Sequence, residues 1–388
     1  MPEFSLEVYF KRISMILFSL YLHVPFCVSK CGYCSFYSQP FDDASAEAWL
    51  GGVSCEVSHL SAIWGEKIPL RTIYIGGGTP SALPISAWKR LLHILKSAFD
   101  FFETVEFTVE ANPCSLTGEH LSLWRNFSVT RVSLGVQSLN DEELAWLGRR
   151  HDAKTALDAL EKIRASGFDV SADLIFGLPP QTLASWKNSI DSILAADAGH
   201  ISIYQLTLEP GTPLSYSSPP LPDGYPFYRF AQWYLERKGL KQYEIASFAR
   251  EASKECRHNL AYWHQENVLA IGPSAWGYLD GFRYRNARAL EEYSALAEKG
   301  LLIAEAERLE ASERGLEAAI LALRTTHGIN AAYFAARFGE KLAKDVFDTL
   351  KNIPQHLVSF ENGKISLTPA GMRVGNAIWT ELMRLNEN

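Results

Sequence analysis

The sequence is poor in the features that would place it behind disulfides, on nucleic acid or across a membrane. Only 6 of its 388 residues are cysteine, and three of these, Cys27, Cys31 and Cys34, sit together. So few thiols in so long a chain exclude a disulfide framework and point to reduced cysteines in the cytoplasm. Positive charge is in deficit: 37 Lys and Arg face 44 Asp and Glu, a net of −7. That balance gives no general attraction to nucleic acid or to an anionic bilayer. Long hydrophobic runs are also missing. The apolar stretch Ile13–Leu22 is too short to form a transmembrane segment, and no small-residue cleavage site follows it. Because Met15 directly precedes the first plausible strand, residues 1–14 are read as an N-terminal extension, non-native or disordered, with Met15 as the natural start.

What is present is ordinary in bulk, 47% hydrophobic and 21% charged, enough for one large α/β domain and a smaller one. The distinctive stretch runs from Tyr21 to Cys34. An apolar run that reads as a short buried strand leads into three thiols spaced four and then three residues apart. Such a loop can wrap one inorganic centre. Three thiolates suit an iron–sulfur cube with one iron left open to a small molecule, the starting geometry for reductive chemistry on a bound cofactor. Zinc, with His23 as fourth ligand, and three unrelated buried thiols are the competing readings.

Six strand-like runs recur along the chain: Leu17–His23, Thr72–Ile75, Glu106–Ala111, Arg131–Val136, Asp169–Phe176 and His200–Leu208. Helical stretches near Ser45–Trp64, Ser86–Phe99, Ala153–Ser166 and Leu183–Ala196 separate them. This repetition predicts a parallel sheet with right-handed crossovers, a partial (β/α)6 TIM-like barrel over residues 15–290 with its chemistry at the strand C-terminal ends. The polar motifs fall at those ends. Gly76-Gly77-Gly78-Thr79 offers close backbone approach and a hydroxyl. Glu110 can accept charge-assisted bonds from an amine, Gln137 can donate and accept, and Arg149 can meet a carboxylate. Asp173, inside an apolar strand, is costly unless something pairs with it. Each of these, taken alone, is more often structural.

Together the residues resemble the radical S-adenosylmethionine (SAM) superfamily, whose signature is C-x3-C-x2-C with an aromatic before the last cysteine, here Tyr33. In order and spacing they are similar to a narrower branch, the coproporphyrinogen III dehydrogenases and the haem chaperone HemW group. The resemblance implies one [4Fe–4S] cluster on Cys27, Cys31 and Cys34. It implies SAM beside Tyr21, with its adenine on Tyr33 and its methionine end lined by Gly77, Gly78, Thr79 and Glu110. Gln137, Arg149 and Asp173 would complete that pocket or a second one for the same molecule.

A second constellation is Cys256-Arg257-His258-Asn259-Leu260-Ala261-Tyr262-Trp263. On a helix, His258 and Tyr262 share one face, as do Asn259 and Trp263. Imidazole is a common haem ligand and flat aromatics suit a porphyrin, yet a packed aromatic patch with a satisfied histidine fits the same pattern. The H-N-x-x-Y-W run resembles the HemW group's haem-binding hallmark, which implies haem binding by His258, Asn259, Tyr262 and Trp263. Relatives often carry histidine where this chain has Trp276.

Residues 300–388 read as a mainly helical, winged-helix-like domain ending in a hairpin turned by Asn362-Gly363. From Leu301 onward ten Lys and Arg face eleven Asp and Glu, so the basic footprint of a DNA reader is missing. The domain is read as a lid or docking surface over the barrel mouth.

Two functions follow from the resemblance. One is a carrier that binds haem as cargo and hands it to an acceptor protein. The other is an enzyme, an oxygen-independent coproporphyrinogen III dehydrogenase that uses a SAM-derived radical for oxidative decarboxylation. That enzyme pattern has a fourth cysteine two residues after the third, where this chain has Phe36. The carrier is favoured. Both need SAM and an electron donor; a homodimer and peripheral membrane contact stay open.

Overall fold

The structure, a computed structural model, describes residues 17–101, 106–301 and 303–386. The extension 1–14 and the proposed start Met15 lie outside the described residues. Six strands, β1 (Phe18–Val24), β2 (Ile68–Gly77), β3 (Glu106–Ala111), β4 (Arg131–Gln137), β5 (Asp169–Phe176) and β6 (His200–Gln205), run parallel and pair in sequence order. The crossovers are the helices α1 (Asp43–Trp64), α2 (Ile85–Ala98), α3 (Gly118–Asn126), α4 (Ala153–Ala165) and α5 (Leu183–Ala195). Each helix starts where its sequence allows. Asp42 and Asp152 cap α1 and α4, while Thr117 and Thr182 form capping boxes for α3 and α5. In α2 the buried residues Trp88, Leu91, Leu92 and Leu95 lie on the face that packs on the sheet. Strands buried on both faces, as β1 is, are what such a sandwich of helices around a parallel sheet requires.

The sheet continues past the six strands at both edges. After helix α6 (Tyr225–Arg237), β7 (Ser247–Ala249) pairs antiparallel with β6, and the two-residue strand Lys241–Gln242 pairs with β7. At the other edge β8 (Val268–Ile271) joins β1 in parallel. An antiparallel meander of β9 (Trp276–Leu279), β10 (Phe282–Asn286) and β11 (Ile303–Arg308) follows. The two ends of the strand order differ, so the barrel is partial.

Three local expectations change. Helix α3 is absent from the pattern-based reading because it is short and opens on glycine. The stretch Gln242-Tyr243-Glu244-Ile245-Ala246-Ser247-Phe248 reads in sequence as one short strand, but it folds back on itself as a hairpin. The third concerns β11. Its sequence, Ile-Ala-Glu-Ala-Glu-Arg, favours helix by propensity, yet cross-strand pairs of Arg283 with Glu307 and Arg285 with Glu305 hold it on the sheet edge. The helical character therefore begins after β11, later than Leu301.

The tail has its own core around Leu316, Phe334, Val346, Leu350, Ile365 and Leu382. Its order is α8 (Ala311–Ala322), β12 (Ile329–Asn330), α9 (Ala331–Phe338), α10 (Glu340–Lys351), β13 (Val358–Glu361), β14 (Lys364–Leu367) and α11 (Gly375–Met383). Helix, strand, two helices and a hairpin make a winged-helix arrangement. Asn362 and Gly363, both at positive φ (52° and 73°), turn the hairpin. Among the described residues no helix is long and apolar enough to cross a membrane.

Candidate metal centre and cofactor cavity

Strand β1 delivers the chain to the cysteine loop, and a two-residue bridge, Phe26–Cys27 with Gln39–Pro40, closes the loop's base. His23 lies inside that base. Its Nδ1 is 3.0 Å from the Tyr21 hydroxyl and its Nε2 is 2.9 Å from the Tyr37 carbonyl. Burial pulls its pKa down to about 4. Both ring nitrogens are engaged, so His23 is a buttress of the loop and not a metal ligand. Among the described residues no three His, Cys, Asp or Glu side chains converge on a single-ion site, as zinc would require. The three thiols instead line one cavity of about 490 Å³. The Thr79 hydroxyl donates to Cys27 Sγ (3.4 Å) and Arg149 Nη1 to Cys31 Sγ (3.5 Å). Burial pushes the Cys34 thiol up, with Cys31 and Cys27 adding to it.

The glycine turn after β2 forms the next wall. Gly77 has φ +113°, and a Cβ there would meet the His23 ring at 2.6 Å; one on Gly78 would meet the Phe26 carbonyl at 2.5 Å. Only glycine lets this turn pass under the cysteine loop. Glu110, at the end of β3, accepts from the Tyr74 hydroxyl (2.8 Å) and the Gly77 N–H (3.1 Å). Burial, reinforced by Asp173, lifts its pKa to about 7. Asp173 accepts from Ser133 (3.1 Å), and burial lifts it to about 6. No cation among the described residues pairs with either carboxylate. Gln137 closes β4 at φ +67°, a strained conformation for a non-glycine residue, where a bulge breaks the β4–β5 register. Arg149 donates to the Gly135 carbonyl (2.8 Å), while its buried Nε has no partner. Tyr33 packs on Leu147, Ile175, Leu178 and Leu206.

Ten of the predicted cluster and SAM residues besides Gln137 line this cavity: Cys27, Cys31, Cys34, Tyr33, Gly77, Gly78, Thr79, Glu110, Arg149 and Asp173. Tyr21 does not; its hydroxyl serves His23. Pattern reasoning missed Tyr74, Ser133 and Tyr204, which also line it. Strand alternation carried the signal, since each occupies an inward-facing position on a predicted strand. The donor set fits SAM: two unpaired acids suit a cationic ligand, Arg149 has a free donor for a carboxylate, and an aromatic–aliphatic wall suits a flat base. Among the described residues none beyond Glu209 lines the cavity, so the tail does not contribute to its wall.

The second constellation lies at the opposite end of the strands. Glu106, the first residue of β3, accepts the backbone N–H groups of Arg257 and His258 (3.0 Å each) at the start of α7 (Arg257–Trp263), and Arg131 backs it. His258 is 1% exposed. Its Nδ1 meets Thr72 Oγ1 at 2.9 Å and its ring stacks on Tyr74 at 5.1 Å. Nε2 is buried without a partner, and burial alone lowers the pKa to about 3. Asn259, Tyr262 and Trp263 instead line a separate, apolar cleft of about 430 Å³ with Trp276, Tyr278 and Leu321. Three of the four motif residues are thus brought together. His258 forms the barrel floor behind them, 5.5 Å from the Tyr262 ring.

Comparison with known proteins agrees with this geometry. Residues 21–193 match the model of the radical SAM superfamily, and residues 309–374 match the HemN C-terminal domain. A protein of Bacillus subtilis named heme chaperone HemW is 34% identical over 376 residues, covering 93% of this chain and 98% of its own. The Mycobacterium tuberculosis protein of the same name is 32% identical, with 94% and 95% covered. In structure, the coproporphyrinogen III oxidase HemN of Escherichia coli superposes with a TM-score of 0.86 at 21% identity, covering 98% of this chain and 93% of that one; this likeness bears on the fold. The chain belongs to the radical SAM superfamily and, within it, to the HemW family.

Proposed function

We propose that this protein is a cytoplasmic haem carrier: it holds a [4Fe–4S] cluster and SAM at the barrel mouth and binds haem through the stretch His258–Trp263 for delivery to an acceptor protein. The clustering of Asn259, Tyr262 and Trp263 around one apolar cleft carries the reading. The family name of its relatives supports it. In the cofactor cavity, Cys27, Cys31 and Cys34 would hold the cluster. Glu110 and Asp173 would receive the cationic end of SAM, Arg149 its carboxylate and Tyr33 its base. Bound together, the two groups supply a reductant and a sulfonium that it can cleave. The chain's own residues position the sulfonium compound, keep water from the thiolates and hold two acids poised to ionise when a cation arrives. An external electron donor and the haem acceptor are partners of this reading.

The dehydrogenase reading has less support. Phe36, 68% exposed, stands where that pattern places a fourth cysteine. The test is direct. Anaerobically reconstituted protein is titrated with haem and, in parallel, assayed with coproporphyrinogen III. Stoichiometric haem uptake without turnover is expected; in His258→Ala the ring supporting Tyr262 is gone and uptake falls. Turnover of coproporphyrinogen III would replace the carrier with the enzyme.

A further inference from the structure

Beside the apolar cleft lies a second, more polar one of about 690 Å³, between Leu17 just ahead of β1, Arg71 on β2, and helices α8 and α9. The two clefts share Trp263, Gln265 and Glu266. Hydrogen-bond donors without acceptors line both clefts. Tyr278 is 7% exposed and its hydroxyl proton has no acceptor; burial pushes its pKa up, while the nearby Arg314 and Arg337 oppose that. Trp263 Nε1 and Arg314 Nε are also buried without partners. Arg337, on α9, has no carboxylate partner among the described residues: its guanidinium lies over the Phe338 ring at 4.8 Å and makes long contacts, 3.4 Å, to Gln265.

The local acids are already committed. Glu266 pairs with Arg71, Glu317 with Arg283, and Asp280 with Arg314. Orphaned buried donors are costly, and donors of this kind on both adjoining clefts, Tyr278 on one and Arg314 and the carboxylate-free Arg337 on the other, describe the complement of an anionic, acceptor-rich group. The adjoining cleft, walled by Tyr262, Trp263 and Trp276, describes the complement of a flat apolar ring system.

We infer that the joined clefts between the barrel floor and the C-terminal domain form one site for an amphipathic tetrapyrrole, whose ring lies in the aromatic cleft and whose propionates are received by Arg337 and the Tyr278 hydroxyl. The inference rests on the haem-carrier reading and deepens it. The C-terminal domain becomes half of the binding site, supplying α8 and Arg337, and the propionates become what distinguishes the cargo from other flat molecules.

The test uses the full-length protein with its cluster and two probes, haem and haem dimethyl ester, which lacks the free carboxylates. Wild type is expected to prefer haem about tenfold or more, the typical weight of a lost charge-assisted hydrogen bond. Arg337→Ala is expected to erase that preference by weakening haem and leaving the ester unchanged; Arg337→Lys restores part of it. Tyr278→Phe provides a second reading: removing an orphaned hydroxyl is expected to leave thermal stability equal or higher while haem affinity drops severalfold. Equal affinity of wild type for both probes, or variants that bind haem as wild type does, would overturn the site. Failure of wild type to bind either probe would instead sink the carrier reading, and the site with it.

Discussion

Glu110 gives the sharpest quantitative test of the cofactor cavity. In the ligand-free protein it is buried, faces Asp173 and has no cation. Its pKa stands at about 7 against an ordinary 4.5. At about 1.4 kcal/mol for each pH unit, that gap corresponds to about 3 kcal/mol. Below pH 4.5 the carboxyl is protonated in folded and unfolded chains alike, and it costs nothing. Between 4.5 and 7 the unfolded chain ionises while the folded one keeps its proton, so stability falls as pH rises; above 7 the loss is complete. Glu110→Gln removes this dependence. Its amide can still accept from Tyr74, but its NH2 group meets the Gly77 N–H, a mismatch of about 1 kcal/mol. The variant should therefore be less stable than wild type by about 1 kcal/mol at pH 4 and more stable by about 2 kcal/mol at pH 8, with the two nearly equal around pH 5. Denaturant unfolding of both ligand-free proteins at the two pH values reads the crossover directly. SAM binding should be lost in the same variant, since an ammonium or sulfonium meets a neutral amide. A variant destabilised equally at both pH values would refute the view that Glu110 is an acid held in waiting for a cation.

Other substitutions test neighbouring parts of the account. Gly78→Ala drives a Cβ to within 2.5 Å of the Phe26 carbonyl; the backbone must shift, and both cluster retention and SAM affinity should fall, measured by iron content and equilibrium dialysis. Glu106→Ala strips the floor of the acceptor for two α7 N–H groups and leaves the 3%-exposed Arg131 without its acid. Unfolding should move by about 3–5 kcal/mol, and haem uptake should fall with it because α7 carries the cleft wall. Arg149→Lys keeps the charge but loses the planar fork and its free Nε; SAM affinity should drop about tenfold, with the cluster retained.

The barrel was legible because its signals are local. Alternating short apolar runs and amphipathic stretches fix strand and helix, and the rule that chemistry sits at strand C-termini then gathered residues as distant in sequence as Cys27 and Asp173. The same logic could have reached Tyr74, which precedes the glycine turn on the inward face of β2. It could not have found β11, where ion pairs across strands outweigh the helical preference of Ala and Glu. His258 was legible as part of a motif but not as the barrel floor, because the partners that enclose it, Thr72 on β2 and Glu106 at the start of β3, come from strands far along the chain. The unpaired donors at Tyr278, Arg314 and Arg337 carry no motif; only the packing of the tail against the meander brings them together.

The central claim is that three cysteines hold an iron–sulfur cube with one iron open to SAM. The most direct measurement is electron paramagnetic resonance of the anaerobically reconstituted, reduced protein, with and without SAM, beside metal analysis. Four irons per chain and a cluster signal that changes when SAM is added are expected. Zinc in place of iron, or a signal indifferent to SAM, would contradict the account.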